Sequence, residues 1–306
     1  IRRLEENKTK PYKHTEHNPY VEAFWEWWPD MYNSLDTFRI TGGEPLLSKD
    51  TWKVLDYIIE SENPNKELKL SINSNLGVPD ELVDKLILKL DQIIKEERVK
   101  EVIIFTSCDA YGAQAEYSRY GMDFDKVFNN IDKILTKLEK VTVVIMSTFN
   151  IFSVYSYEKL IKKVYSYKVK HFNTIRYWNS PLILDTSFLI NPDFLSFRIL
   201  KDYLDVEYFE RWEKYMKFNS TFRSLNFHKT QEIGDVGFST QEIEKITRLK
   251  DMFVADYETD SKLFETDRQD FIKFIRQYEL RRGMVCEQYY PELIEFIKNI
   301  TNENKI

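Results

Sequence analysis

The feature that most constrains the fold of this chain is a regular alternation of strand-like and helix-like segments over its first part. Short runs rich in β-branched and apolar residues end near positions 41, 74, 107 and 148, three to four dozen residues apart. Each run is followed by a segment with apolar residues at helical spacing. Strands joined through helices in this way become parallel neighbours with right-handed crossovers. The pattern therefore predicts an α/β protein whose parallel sheet forms a barrel or part of one.

The predicted elements divide the chain into three parts. Strands are predicted at 37–41, 68–73, 101–106 and 141–146. A fifth strand is predicted to begin near His171 and to span 172–177, and residues 182–184 add one more short strand. Beyond them the pattern is mostly helical, and Ser239 with Glu242 forms a capping box at the start of one helix. The three parts are an N-terminal loop and aromatic helix at 1–35, a partial barrel at 36–190, and a helical C-terminal region at 191–306.

Composition and charge exclude several classes of protein. Hydrophobic residues make up 42% of the chain and charged residues 31%, which is typical of a globular protein. No apolar run is long enough to cross a bilayer, so we expect no integral membrane protein. A formal net charge of -6 argues against binding to the phosphate backbone of nucleic acids. Two cysteines in 306 residues exclude a disulfide scaffold and favour a cytoplasmic location.

The first predicted strand ends in the segment Thr-Gly-Gly-Glu-Pro, residues 41–45. Two adjacent glycines let a ligand come close to the backbone, because there is no Cβ to hold it away. Glu44 then places a carboxylate at the carboxyl end of a strand, where α/β sheets and barrels carry their ligand sites. Alternatively, the glycines form only a strand-to-helix turn, with Glu44 in solvent and Pro45 starting the next element. The segment alone leaves both interpretations open.

Polar side chains also follow the next three predicted strands, and parallel strands would bring them to the same mouth as Glu44. They are Asn73, Ser74 and Asn75, then Ser107, Cys108, Asp109 and Arg119, then Ser147, Thr148 and Asn150. The set lacks a convincing nucleophile–base pair, so it favours binding of a zwitterion with a sugar over hydrolysis. A carboxylate can accept hydrogen bonds from an ammonium, hydroxyls and amides can hold ribose, and a guanidinium can pair with a carboxylate.

Three of these strand ends resemble motifs of the radical S-adenosylmethionine (SAM) superfamily. The residues at 41–45 are similar to its Gly-Gly-Glu motif, and Ser-Ile-Asn-Ser-Asn-Leu-Gly at 71–77 resembles its next strand end. The segment 107–124 is similar to its Ser-x-Asp-Gly…Arg-x-Gly…Phe pattern. Likeness is closest to the twitch-domain radical SAM proteins of bacteria and phages, with further matching residues at 281–283 and 290–293. The matching segments span most of residues 36–150.

The resemblance implies a partial (β/α)6 TIM-like barrel that holds SAM and a [4Fe–4S] cluster. In that family, reduction of the cluster cleaves SAM to methionine and a 5′-deoxyadenosyl radical, which abstracts hydrogen from a substrate. The partners that it implies are a reductant for the cluster and a small-molecule or peptide substrate. We therefore expect a radical SAM enzyme whose substrate specificity comes from the loops and the C-terminal region.

The same resemblance assigns a cofactor-binding set residue by residue. Gly42, Gly43 and Glu44 would meet the methionyl ammonium of SAM. The ribose would lie against Ser107 and Asp109, with Asn75 close by, and the carboxylate against Arg119. Thr148, at the fourth strand end, completes the predicted set.

One departure from the family concerns the cluster itself. The family binds the cluster through three cysteines in a Cys-x3-Cys-x2-Cys loop after the first strand, whereas this chain has Cys108 and Cys286, far apart in sequence. Cys108 fits a small buried hydrophobic residue better than a ligand. The chain begins at Ile1 and not at Met, so we expect a preceding segment to supply the cluster loop. No metal ligand is assigned to the present residues.

A second hypothesis comes from a different functional class. Under it the chain is a non-catalytic α/β scaffold derived from the same fold, which binds a partner through its aromatic-rich surface. Asp109 would then only cap its own loop, and Arg119 would be an ordinary ion-pair partner. A Cys-x3-Cys-x2-Cys motif in the upstream coding sequence would favour the enzyme, and a start codon near Ile1 would favour the scaffold.

Overall fold

The computed structural model of the protein describes residues 12, 16–172, 180–220, 236–257 and 264–303. Five strands alternate with helices in the first part, and helices dominate the second. The strands are β1 (Thr37–Ile40), β2 (Lys69–Asn73), β3 (Glu101–Ser107), β4 (Thr142–Phe149) and β5 (Leu182–Phe188). The α-helices are α1 (Pro19–Ser34), α2 (Lys49–Glu60), α3 (Asp80–Lys95), α4 (Ala113–Ser118), α5 (Phe124–Lys137), α6 (Tyr157–Lys170), α7 (Glu207–Phe218), α8 (Thr240–Tyr257), α9 (Glu265–Arg282), α10 (Cys286–Tyr289) and α11 (Ile294–Glu303). Short 3-10 helices span Pro45–Leu47, Val154–Ser156, Asp193–Leu195, Phe197–Leu200 and Pro291–Leu293.

The five strands form one sheet whose spatial order equals the chain order, and every neighbouring pair is parallel. Ile40 pairs with Ile72, and Ile72 pairs with Ile104, so equivalent positions are aligned across the sheet. Right-handed crossovers between sequential parallel neighbours place the connecting helices on one face. The predicted α/β class with parallel strands is therefore confirmed.

The two faces of the sheet differ in burial along its central strand, β3. Along β3, Val102, Ile104 and Thr106 are buried, whereas Ile103 and Phe105 between them are half-buried. Successive side chains of a strand point to opposite faces, so the buried residues belong to the helix-covered face. The half-buried residues belong to a second face, which we call the open face of the sheet. A ligand can approach the sheet from this open face.

The prediction for the fifth strand is wrong at its start. His171 is the C-cap of α6, where its backbone N–H donates to the carbonyl of Tyr167, and Phe172 belongs to no strand. The rest of that segment, 173–177, lies outside the described residues. The strand that pairs with β4 is β5, of which the sequence predicts only 182–184. The predicted run at 172–177, Phe-Asn-Thr-Ile-Arg-Tyr, is rich in β-prone residues, and this pattern does not reveal that His171 caps a helix immediately before it.

The predicted capping box at Ser239 and Glu242 is confirmed. The backbone N–H of Ser239 donates to the carboxylate of Glu242 at 2.9 Å, and the N–H of Glu242 donates to the Ser239 hydroxyl at 3.2 Å. This is the predicted capping box, and it stands at the start of α8.

Within the described residues, no helix combines the length and the apolar character needed to span a membrane.

Helix α8 also covers the outer edge of β5. The second oxygen of Glu242, Oε1, accepts the backbone N–H of Leu184 at 2.9 Å. Its Oε2 lies 3.0 Å from the ammonium of Lys168, and both side chains are buried. An uncovered strand edge exposes backbone N–H and C=O groups that can pair with a strand of another chain. Glu242 therefore stabilises the far edge of the sheet and ties the C-terminal region to it.

Candidate functional site

The eight residues of the predicted SAM site lie at the carboxyl ends of strands β1 to β4. Because these strands are parallel and aligned, their carboxyl ends form one edge of the sheet. Direct contacts divide the set into two groups, one around Glu44 and one around Asp109. By position, the residues are Gly42, Gly43 and Glu44 after β1, Asn75 after β2, Ser107, Asp109 and Arg119 at or after β3, and Thr148 near the end of β4.

The carboxylate of Glu44 joins the loops that follow β1 and β2. Its Oε1 accepts hydrogen bonds from the backbone N–H of Leu46 at 3.1 Å and from the hydroxyl of Ser74 at 2.8 Å. Its Oε2 accepts the backbone N–H of Asn75 at 2.8 Å. A carboxylate has about four acceptor positions, so Oε2 has room for about one more donor. Glu44 is thus half-buried and bound to the chain, with capacity left for a ligand.

The two glycines leave open space beside Glu44. Gly42 has a φ of +128°, a conformation that favours glycine, so the turn itself requires this residue. Gly43 has no such φ, and a Cβ added there would meet no heavy atom within 4 Å. Neither backbone shape nor packing explains glycine at position 43. The exposed backbone at this point is therefore open to close approach by a ligand.

Asp109 holds the second group together from a buried position. Its Oδ1 accepts the backbone N–H of Thr148 at 2.7 Å, which links the loop after β3 to β4. Its Oδ2 forms an ion pair with Arg119, 2.8 Å from Nε. Both carboxylate oxygens thus face groups of the chain, and a ribose would have to share them. Arg119 is partly exposed, so the rest of its guanidinium fork can reach a bound anion.

Two open cavities lie beside these contacts. One has a volume of about 420 Å³, and its walls include Asn75, Ser107 and Arg119. The other has a volume of about 1000 Å³, and its walls include Arg39, Gly43 and Glu44. Pockets for small ligands are typically about 300–1,000 Å³. Both cavities are therefore large enough to hold parts of a nucleoside-sized ligand.

Two residues of this edge are absent from the predicted set. Ser74 holds Glu44 through its hydroxyl, and Arg39 lies inside β1 with its side chain on the open face. The sequence contains a sign of Arg39, because the strand Thr-Phe-Arg-Ile places a long cation among β-prone residues. The sequence places Ser74 among the polar residues that follow β2, but its contact with Glu44, thirty positions away, could not be assigned from the sequence.

The two cysteines do not fit a cluster site. Cys108 is fully buried, and its thiol donates to the carbonyl of Ala110 at 3.1 Å. Burial, together with the charge of Asp109, raises the pKa of Cys108 to about 12, and burial raises the pKa of Cys286 to about 12. Two buried thiols also fall short of the three cysteines that the expected cluster loop needs. Across the residues that the structure describes, no group of three or more His, Cys, Asp or Glu side chains is placed to hold a metal ion.

Comparisons with known proteins add no support for the site beyond its geometry. No protein-family model matches this chain, and searches against curated proteins and against solved structures also gave no match.

Proposed function

We propose that this chain is the SAM-binding part of a radical SAM enzyme, built on a partial (β/α)6 barrel. The observation that carries the proposal is the pair of contact groups at one sheet edge. Glu44 joins the ends of β1 and β2, and Asp109 joins the loop after β3 to β4. Gly43 and Arg119 stand in open cavities beside these two groups. A ligand with an ammonium at one end and a carboxylate nearby matches this arrangement of charges.

Each residue has a distinct part in the proposed site. Glu44 Oε2 accepts one hydrogen bond from the ligand ammonium, and Gly43 lets the ligand lie against the backbone. Arg119 pairs with the ligand carboxylate, and Asp109 orients Arg119 from behind. Ser107 and Asn75, which both line the smaller cavity, meet ribose hydroxyls in the proposed site.

In this proposal the described residues bind SAM, and the iron–sulfur cluster is held elsewhere. In the family that the chain resembles, SAM bound beside a reduced [4Fe–4S] cluster is the source of a 5′-deoxyadenosyl radical. Cluster ligands would have to come from outside the described residues, since Cys108 and Cys286 are buried thiols. Both cysteines are free, which agrees with the proposed cytoplasmic location.

One observation favours the alternative of a non-catalytic scaffold. Three of the acceptor positions of Glu44 are already taken by donors of the chain, as a purely structural cap would require. The Asp109–Arg119 ion pair is likewise complete without a ligand. In that case the edge would bind no SAM, and its contacts would serve only to hold four strand ends together.

Calorimetric titration with S-adenosylhomocysteine separates the two functions. This stable analogue keeps the ammonium, carboxylate and ribose of SAM. We expect saturable binding to the full chain with a Kd below about 1 mM, and at least tenfold weaker binding to Arg119→Gln. The matched control is Arg276→Gln, which removes the same charge from an exposed position of α9. No binding to the unmodified chain, or equal affinities of the two variants, would support the scaffold.

A further inference from the structure

Arg39 is held in a fixed position on the open face of the sheet. Its Nε donates to Asn73 Oδ1 at 2.9 Å, and its Nη2 lies 3.6 Å from the sulfur of Met146. The guanidinium carbon stands 4.1 Å from the centroid of the Phe105 ring. These three partners come from three different strands, β2, β3 and β4. A long side chain that is exposed, yet clamped in this way, has lost rotamer freedom before any ligand arrives.

The charge of Arg39 is not balanced by a carboxylate of the described chain. Its contacts are an amide oxygen, a thioether sulfur and an aromatic ring, and no described Asp or Glu forms an ion pair with it. Arg98 and Arg119, by contrast, each pair with a carboxylate at 2.8 Å. A guanidinium has five N–H donors, so about three of those on Arg39 have no acceptor among the described residues, and a fourth faces only the weakly accepting sulfur of Met146. An oxyanion is the group that satisfies them best, through two parallel hydrogen bonds.

The surroundings of Arg39 suit a ligand that reaches beyond the SAM site. The residue lines the cavity of about 1000 Å³ that also contains Gly43 and Glu44. Beside it, on the same face, Phe105 and Ile103 form a half-buried apolar floor. A molecule lying on this floor would have one end toward the carboxyl edge of the sheet and an anionic end at Arg39.

We propose that Arg39 binds an oxyanion, a carboxylate or a phosphate, of the substrate, and so restricts the enzyme to anionic substrates. The proposal rests on the proposed function, because only a SAM-binding edge makes the open face a substrate chamber. Asn73 and Phe105 are positioning residues: Asn73 accepts the Nε–H of Arg39, and the ring of Phe105 supports the guanidinium beside the cavity.

Nuclear magnetic resonance of the arginine Nε–H groups in the full chain tests this subsite directly. The Arg39 resonance is assigned by its loss in Arg39→Gln, and the chain is titrated with inorganic phosphate and, separately, with succinate. We expect a saturable shift of the Arg39 resonance with at least one anion, at least fivefold larger than the shift of Arg276. The anion that binds Arg39 with the higher affinity then identifies whether the subsite prefers a phosphate or a carboxylate.

Variants distinguish a specific fork from a general positive charge. Arg39→Lys keeps the charge without the fork, and Asn73→Ala releases Nε, so both should bind the preferred anion at least threefold more weakly. Equal anion affinity in Arg39→Gln and the unmodified chain, or no saturable shift with either anion, would overturn the proposal.

Titration with S-adenosylhomocysteine separates failure of the subsite from failure of the proposed function. Unchanged analogue binding by Arg39→Gln, with anion binding lost, supports a substrate subsite distinct from the SAM site. Loss of both in Arg39→Gln would place Arg39 in the SAM site and overturn the inference. Anion binding at Arg39 in a chain that binds no analogue would support the oxyanion subsite and contradict the proposed function instead.

Discussion

The carboxylate of Glu44 accepts the backbone N–H of Asn75 at 2.8 Å, so the Gly-Gly-Glu loop is bonded to the end of the neighbouring strand. The same carboxylate accepts the hydroxyl of Ser74 at 2.8 Å. A short sequence motif thus organises two strand ends, whatever ligand binds beside it. Its contribution to stability can be measured separately from its contribution to binding.

Replacement of Glu44 is expected to destabilise the sheet edge. Glu44→Ala removes three hydrogen bonds to a charged acceptor, and we expect a loss of about 2 kcal/mol in the free energy of unfolding. Ser74→Ala should cost about 1 kcal/mol. Urea unfolding of both single variants and the double variant measures their coupling. If the double variant loses the full sum of the two single losses, the Glu44–Ser74 contact contributes nothing.

Replacement by alanine should lower the stability of the chain at Gly42 and its ligand affinity at Gly43. Gly42→Ala places a side chain at a φ of +128° and should cost about 1 to 3 kcal/mol of stability. Gly43→Ala meets no atom within 4 Å, so its melting temperature should stay close to that of the unmodified chain. Its affinity for S-adenosylhomocysteine should nevertheless fall at least tenfold, because the added methyl occupies the space of the ligand. A stable Gly43→Ala chain with full affinity would show that no ligand lies against this backbone.

Asp109 is expected to act on ligand binding through Arg119. Asp109→Asn removes the charge that faces Nε of Arg119 while leaving an oxygen that can accept the Thr148 N–H. We expect about tenfold weaker binding of S-adenosylhomocysteine, together with a loss of about 1 to 2 kcal/mol in stability. Calorimetry and urea unfolding of the same preparation measure both quantities. Unchanged affinity would mean that Arg119 does not need its partner, and the proposed positioning role would be wrong.

The C-terminal region should be stabilised by Glu213 in a pH-dependent way. Burial by itself raises the pKa of Glu213, but hydrogen bonds from two lysines and a threonine outweigh this and lower it to about 2. These donors are Lys217 at 2.6 Å, Lys250 at 2.5 Å and Thr247 at 2.8 Å. Because the folded pKa lies below the ordinary value of 4.5, the stabilisation is present above pH 4.5 and is lost as the pH falls toward 2.

The size of this effect is about 3 kcal/mol, from the difference between the two pKa values. Glu213→Gln should therefore be less stable at pH 7 and should lose less stability than the unmodified chain between pH 5 and pH 2. Urea unfolding at a series of pH values measures this, with the exposed residue Glu62→Gln as the matched control. Parallel pH curves for the unmodified chain and Glu213→Gln would show that the lysine contacts do not hold the carboxylate ionised.

Patterns that depend on neighbouring residues could be predicted from the sequence. The parallel sheet follows from alternating segments, and the Ser239–Glu242 capping box follows from two residues three positions apart. The start of the fifth strand could not be predicted, because a β-prone run follows directly on His171, the residue that caps the end of α6. The choice between these elements is made by tertiary packing, which short windows of sequence do not contain.

The site shows the same division between local and long-range information. The eight positions could be assigned to one edge, since parallel strands share a carboxyl end. Their partners could not be assigned, because the bonds of Glu44 to Ser74 and of Asp109 to Thr148 join residues 30 and 39 positions apart. The position of Arg39 could not be predicted for a related reason, since the three residues that hold its guanidinium come from three other strands.

A crystal structure of the chain with S-adenosylhomocysteine tests the central claim most directly. In the proposed site the ligand ammonium lies within hydrogen-bonding distance of Glu44 Oε2, the ligand carboxylate contacts the guanidinium of Arg119, and the ligand lies against the backbone of Gly43. A ligand bound elsewhere on the molecule, or a carboxyl edge that stays empty at saturating ligand, would contradict it.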